Sequence, residues 1–502
     1  MSEAFVRTQM TPPQKPPVTE RGAIKWLHEN LFAGPYNTIL TLVSLYVIYL
    51  MLSAIVPWLL NGVWVADSLQ ECRDIVAASA GEGATGACWA MLRERWHQFI
   101  FGLYPSEAYW RPTLAFGLLF VAIAPVLYSG QRSTLLTVLA VVFAFVAICL
   151  PLAGAPGWWR VAPDPALVAA GEYLSATALT GIYIGALALV AGLAALTWVA
   201  PGRLIWFTLA FPALCYFLLW GGSIWSTVAV VLGLVVLGLV YRLAVSLAGV
   251  AVAACLGLLA AVLYWLYLDA PLARELSEAL PLGIPFIPSD EFGGFLLAIV
   301  IGVTAIAFSL PLGILLALGR QSDLPIVKMI CVGFIEFIRG VPLITLLFTA
   351  SLLLGYFLPP GTTFDTILRV MILVTFFAAA YLAEVVRGGL AALPRGQYEA
   401  ADSLGLDYWS AQRLIILPQA LKISIPAIVS TFIGLFKDTT LVSFVALMDP
   451  LRGVTNAVRA DIDWKGIYWE PYIFVGAIFF LICFGMSRYS MYLEQKLKTD
   501  HR

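Results

Sequence analysis

"EAADSLGLDYWSAQRLIILP", residues 399–418, interrupts a chain that is otherwise mostly apolar and places Glu399, Asp402 and Asp407 close together. Residues 397–404 are good helix formers, with Ala400, Ala401 and Leu404 toward one face, and Gly405 follows where a helix needs a left-handed residue to stop. Asp407 offers an N-cap to "YWSAQRLII", and Pro418 predicts that this second helix ends at Leu417, because proline disfavours helical geometry in the residue before it. The stretch therefore reads as two short helices meeting at a glycine. Such a surface element has no lipid to touch, and a protein partner on the cytoplasmic side is its simple occupant.

The rest of the chain sets the context. Of its 502 residues 61% are hydrophobic and only 12% charged, with a mean hydropathy of +0.90. A soluble domain carries roughly 25% charge, so this chain belongs in a lipid bilayer. A net charge of -1 and no dense basic cluster exclude a nucleic-acid partner. Residues 1–35 are polar and proline-rich, reading as a disordered cytoplasmic tail rather than a signal peptide, because the apolar run 36–60 is long enough to span.

Apolar stretches predict twelve spans, near 36–60, 113–129, 134–152, 178–200, 204–220, 226–241, 243–268, 293–319, 340–358, 366–388, 426–447 and 472–486. The fold class is thus an all-α integral membrane protein. Its parts are a tail (1–35), an N-terminal membrane region of about seven helices and unassigned role (36–270), a five-helix region (290–490) and a C-terminal tail (491–502). Arginines 132, 203 and 242 fall in tight turns that alternate with the uncharged "GGSIWS", which puts both termini in the cytoplasm. The long loop 61–111 is then periplasmic, and its Cys72 and Cys88 stand where a disulfide persists if they are bridged. The other five cysteines fall in or beside spans as small apolar residues.

Glu399, Ala400, Ala401, Gly405, Ile415, Leu417 and Pro418 match the pattern E-A-A-x3-G-x9-I-x-L-P, and here the chain resembles the permease subunits of bacterial ABC importers. "FIEFIRGVPLITLLF" (334–348), "AYLAEVVRGGL" (380–390) and "LFKDTTLVS" (435–443) resemble the polar amino-acid branch of that family over residues 290–500. "GACWAMLRERWHQFIFGLYP" (86–105) is similar to the long N-terminal half of paired permeases in broad-specificity L-amino-acid importers. The resemblance implies that residues 290–490 are the permease core and that the helix at Glu399 is a coupling helix seated on a separate ATPase. It further implies an ATPase dimer that binds ATP and magnesium, a second related permease completing a heterodimer, a periplasmic amino-acid-binding protein, and an amino acid as cargo. No cofactor is expected on this chain, which has no G-x4-G-K-[ST] loop to cradle phosphates.

A substrate route is sought among ionisable groups inside the membrane, where they are costly. Lys437 and Asp438 lie midway along the run 426–448, with Thr439 beside them, and Thr431, Gly434 and Asp438 share one helical stripe. Both signs of charge suit a zwitterionic amino acid, and Glu384 with Arg387 could add to them or close an inner gate. The competing reading is an ion pair between helices, such as Glu384 with Lys437, that never meets substrate. Glu336 and Arg339 read as interface anchors or pairs. The scattered His28, His97 and His501 suggest no metal site or catalytic triad. The alternative function is an ion-coupled secondary transporter with Asp438 as proton carrier, against which the two halves of the chain share no motif.

The topology is testable by thiol labelling. Single cysteines at Gln131 and Ser403 should be shielded from an impermeant reagent in intact cells, whereas one at Ser106 should react. Labelling of position 403 from outside would invert the orientation.

Overall fold

The computed structural model describes residues 22–128, 131–153, 175–357 and 365–497. Most of the N-terminal tail, Arg7 and Lys15 included, and the last residues of the C-terminal tail with His501 lie outside them. Among the described residues ten helices are long and apolar enough to cross a membrane, and two bent helix pairs raise the number to twelve. The chain divides into two compact units, residues 1–94 with 461–470, and residues 95–460 with 471–502.

In the first unit, α1 (Gly22–Leu31) corrects the expectation of a wholly disordered tail, its turns supported by an i,i+4 pair of Lys25 with Glu29 at 3.5 Å. The span α2 (Pro35–Leu60) has no buried residue and is apolar on every side, as suits a helix surrounded by lipid. Beyond it α3 (Leu69–Ala80) starts at Ser68, whose hydroxyl accepts the Glu71 N–H at 3.1 Å. Cys72 of α3 and Cys88 are joined in a disulfide, with Cα atoms 5.9 Å apart and both side chains buried. A distant segment completes this unit. The Asp463 carbonyl accepts the Leu69 N–H at 2.8 Å, Glu470 Oε1 accepts the Cys88 N–H at 2.8 Å, and the buried Trp464 donates from Nε1 to Glu94 Oε2 at 2.9 Å.

The second unit opens within α4 (Ala90–Phe101). It continues through α5 (Trp110–Leu127), α6 (Arg132–Ala153), α7 (Ala176–Val199), α8 (Ile205–Trp220), α9 (Ile224–Tyr267) and α10 (Asp269–Ala279). The turn expected at Arg242 does not exist: α9 runs through it and breaks instead at Gly249, whose φ of 79° leaves the helical region. The rest of this unit comprises α11 (Gly294–Gln321), α12 (Pro325–Gly340), α13 (Leu343–Phe357), α14 (Thr366–Ala391), α15 (Arg395–Ser403), α16 (Tyr408–Ala411), α17 (Leu417–Asp438), α18 (Pro450–Ala460) and α19 (Trp469–Leu497). The span expected at 340–358 is a bent pair instead, α12 and α13 meeting at 101° where Gly340 and Pro342 interrupt the ladder.

The helices from α5 to α8 share one buried apolar core with α11 and α14, joining Leu118, Leu139 and Leu204 to Leu297, Ile301 and Val374. Gly102 and Gly293 let the two stretches of backbone touch, since a Cβ on Gly102 would lie 2.3 Å from the Gly293 Cα. Arg111, 2% exposed, donates to the Pro285 carbonyl at 2.7 Å, and Tyr104 donates to the Leu219 carbonyl at 2.7 Å.

Replacing Cys72 and Cys88 together by serine should lower the stability of the first unit by about 3 kcal/mol, the scale for a loop of this length. Limited proteolysis between residues 61 and 94 of the purified chain should then accelerate. Unchanged cleavage would mean that the hydrogen bonds to 463–470 hold the segment without the disulfide.

Candidate functional site

The stretch from Glu399 to Pro418 folds around its glycine. Helix α15 ends at Ser403, Gly405 adopts φ 67°, and its N–H donates to the Asp402 carbonyl at 2.9 Å. Asp407 then caps the next turn, its carboxylate accepting N–H groups from Trp409 at 3.1 Å and Ser410 at 3.3 Å as well as the Ser410 hydroxyl. The Ser410 hydroxyl, more than any other group, holds the Asp407 carboxyl below its ordinary range. The cap is therefore complete above the ordinary aspartate pKa and is lost as the pH falls through the lowered one.

The inner side of the stretch is seated and its outer side is bare. Ala401 and Ile416 are buried, while Ile415 and Leu417 pack against a cluster that includes Leu318 of α11 and Leu390 of α14. Gln419 donates to Gln397 Oε1 at 2.9 Å, tying the two limbs together. Glu399, Ala400 and Pro418 are exposed. So are four large apolar side chains, Leu404 at 72%, Leu414 at 65%, Trp409 at 58% and Tyr408 at 52% exposure. Single exposed apolar residues are ordinary, and here four fall within eleven positions of the sequence.

The helix end expected at Leu417 is overturned. A π-helical turn over Gln412–Ile416 joins α16 to α17, with Pro418 in the first turn of α17, so the chain stays helical from Tyr408 to Asp438. A wide π turn alters the hydrogen-bond ladder where proline can supply no N–H, so the rod passes a residue that would otherwise stop it. Pro426 also lies within α17 and does not begin a separate span.

At the far end of this rod the expected charges lie apart from Glu384. Lys437 is exposed and Asp438 half-buried, and no salt bridge joins either one to another group among the described residues. The Thr431 hydroxyl is spent on the Ala427 carbonyl at 2.9 Å, and a side chain at Gly434 would meet open space. Thr439 is buried against Gly302, its hydroxyl donating to the Phe436 carbonyl at 2.7 Å.

Glu384 has partners of its own. Its carboxylate contacts Arg320 from α11, Arg387 at 2.9 Å and Arg339 from α12 at 3.6 Å, while Arg320 also meets Glu336 at 3.2 Å. Glu336 and Arg339 are thus paired, and Glu384 is bonded to arginines rather than to Lys437. Sequence reasoning missed Arg320 and Arg339 as its partners. The signal was present in α12, where "IEFIR" puts Glu336 and Arg339 one turn apart on an otherwise apolar helix. Among the described residues no three His, Cys, Asp or Glu side chains gather as a metal site.

Residues 309–499 match the family described as binding-protein-dependent transport system inner membrane component. The glutamate/glutamine/aspartate/asparagine transport system permease protein BztC of Rhodobacter capsulatus is 56% identical over 499 residues, covering 99% of each chain. The inner membrane amino-acid ABC transporter permease protein YhdY of Escherichia coli K12 is 32% identical over 489 residues, 97% of this chain and 96% of its own. The glutamate/aspartate import permease protein GltK of Escherichia coli O6:H1 is 30% identical over 208 residues, 40% of this chain but 91% of its own length. GltK thus matches this chain over less than half of its length, whereas BztC and YhdY match it over nearly all. Relatives named as ABC permeases favour that reading over an ion-coupled transporter. This multi-pass inner-membrane chain, with its seated EAA stretch, belongs to the permease family of amino-acid ABC transporters.

Proposed function

We propose that the chain carries acidic amino acids and their amides inward across the membrane, with Lys437 and Asp438 at the substrate route and residues 399–418 receiving the force of ATP hydrolysis. An ATPase and a substrate-binding protein are the partners that membership implies. The ATPase is a dimer holding ATP and magnesium, the second pore subunit is a related permease in a heterodimer, and both termini of this chain face the cytoplasm.

The observation that carries this reading is the unbroken helical rod from Tyr408 to Asp438. At 1.5 Å per residue it is about 45 Å long, enough to connect an exposed cytoplasmic loop with groups deep in the bilayer. ATPase closure beneath Leu404, Tyr408 and Trp409 would move that end, and a helix transmits the displacement along its axis instead of absorbing it. Lys437, exposed and without a carboxylate ion pair among the described residues, is expensive in a span unless it faces an aqueous route or a second chain. Its charge suits a substrate carboxylate. Glu384, held by three arginines, acts as a structural lock and not as a substrate ligand.

Two variants separate the ends of the rod. Gly405→Val forces a β-branched residue into a left-handed conformation at a cost of roughly 1–2 kcal/mol. The complex should assemble while uptake and substrate-stimulated ATP hydrolysis both drop; normal uptake by the assembled variant would remove the hinge role. Lys437→Gln should leave yield and melting temperature unchanged and reduce uptake of glutamate and aspartate about tenfold, a loss of ~1.4 kcal/mol, with glutamine and asparagine less affected. Equal loss for all four substrates would exclude a charge contact at Lys437.

A further inference from the structure

A cavity of about 1860 Å³ lies in the second unit, walled by α5 and α8 on one side and by α11, α14 and α19 on the other. A pocket for a small polar solute occupies roughly 300–1,000 Å³, so this space is far larger than an amino acid needs. Its shaft is apolar, formed by Phe116, Leu119, Ile299, Val303, Leu310 and Leu481. A zwitterion held in that apolar shaft would leave its charges unpaired. Lys437 and Asp438 take no part in the lining.

The charged lining groups gather at one end. Asp290 stands just before α11, Asp365 caps α14 by accepting the Leu368 N–H at 3.0 Å, and Arg452 lies in the first turn of α18. Helices α11 and α14 run parallel, since Gly313 abuts Ala379 and Leu382 while Arg320, further along α11, meets Glu384, further along α14, so both begin at that end. The Met448 carbonyl accepts the Gly294 N–H at 2.7 Å and brings the start of α18 to the same place. Arg452 uses Nη1 on the Ser443 carbonyl at 2.8 Å and is only half-buried. One guanidinium and two carboxylates therefore lie toward one end of a largely apolar lining.

We infer that this cavity holds one phospholipid with an amine headgroup, its acyl chains in the shaft, its phosphate at Arg452 and its ammonium at Asp290 and Asp365. The site is built at the depth of the bilayer from helices that span it, so acyl chains reach it without crossing water. Each shaft wall comes from a different part of the chain, α5 and α8 from the N-terminal helices and α11 and α19 from the permease core. The lipid thereby fills the junction between them and gives the N-terminal helices a task that a short permease lacks. Phosphate on guanidinium is a charge-assisted contact, and the carboxylates favour an amine over a glycerol headgroup.

The test is native mass spectrometry of the complete transporter complex, purified in mild detergent and stripped with increasing activation energy. One phosphatidylethanolamine per copy of this chain should survive stripping. Val303→Trp and, independently, Leu119→Trp fill the shaft from opposite walls and should abolish the adduct, whereas Arg452→Gln should lower its retention severalfold at unchanged assembled yield. Equal retention in wild type and both tryptophan variants would identify surface lipid and overturn the inference. Phosphatidylglycerol held as firmly as phosphatidylethanolamine would overturn the headgroup assignment. A lipid-free wild-type complex in which a partner helix cross-links to Phe116 would give the cavity to protein instead.

Discussion

Inside a bilayer every backbone N–H and C=O must be satisfied by the chain itself, and the helices of this protein are arranged around that constraint. Where proline or glycine interrupts the ladder, the chain keeps helical geometry or turns sharply. Pro418 is absorbed by a π turn, Gly249 kinks α9 at a left-handed residue, and Gly340 with Pro342 folds α12 against α13. Each solution has a different consequence. The π turn preserves a rod that can carry displacement, whereas the break after Gly340 ends one helix and redirects the chain.

Charge in the second unit is organised by the same economy. Glu384 accepts from arginines on α11, α12 and its own helix, so three elements are pinned at one carboxylate. Loss of any one arginine would leave Glu384 paired with the other two, whereas loss of Glu384 would free Arg339 and Arg387 at once, so the carboxylate fixes the relative position of the three elements. Lys437 and Asp438 lack that enclosure. The contrast is between a carboxylate saturated by arginines and a lysine left exposed, with no ion pair among the described residues.

The first unit solves a different problem. Its residues 61–94 lie outside the apolar spans, and a short loop segment of this kind has little core of its own. The disulfide and three hydrogen bonds to residues 463–470 supply what burial cannot. One of these, from Cys88 to Glu470, joins positions separated by 382 residues. No local pattern announces such a bond.

Much was nonetheless legible in the sequence. Twelve apolar runs required a helical membrane protein because length and composition alone decide whether a segment can cross lipid. Gly405 and Asp407 fixed the turn in residues 399–418, since left-handed backbone and N-capping are local requirements. The spacing from Glu399 to Pro418 identified the family. What the sequence could not decide were contacts between distant segments and the outcome at helix interruptions. Proline at 418 permits either an end or a π turn, and the packing of Ile416 against α11 and α14 selected the latter. Glu384 could have paired with Lys437 or with Arg320, and only the parallel packing of α11 with α14 set the choice. Local propensities limit the options at such positions, but the free energy that chooses among them comes from burial and charge pairing between residues far apart in the chain.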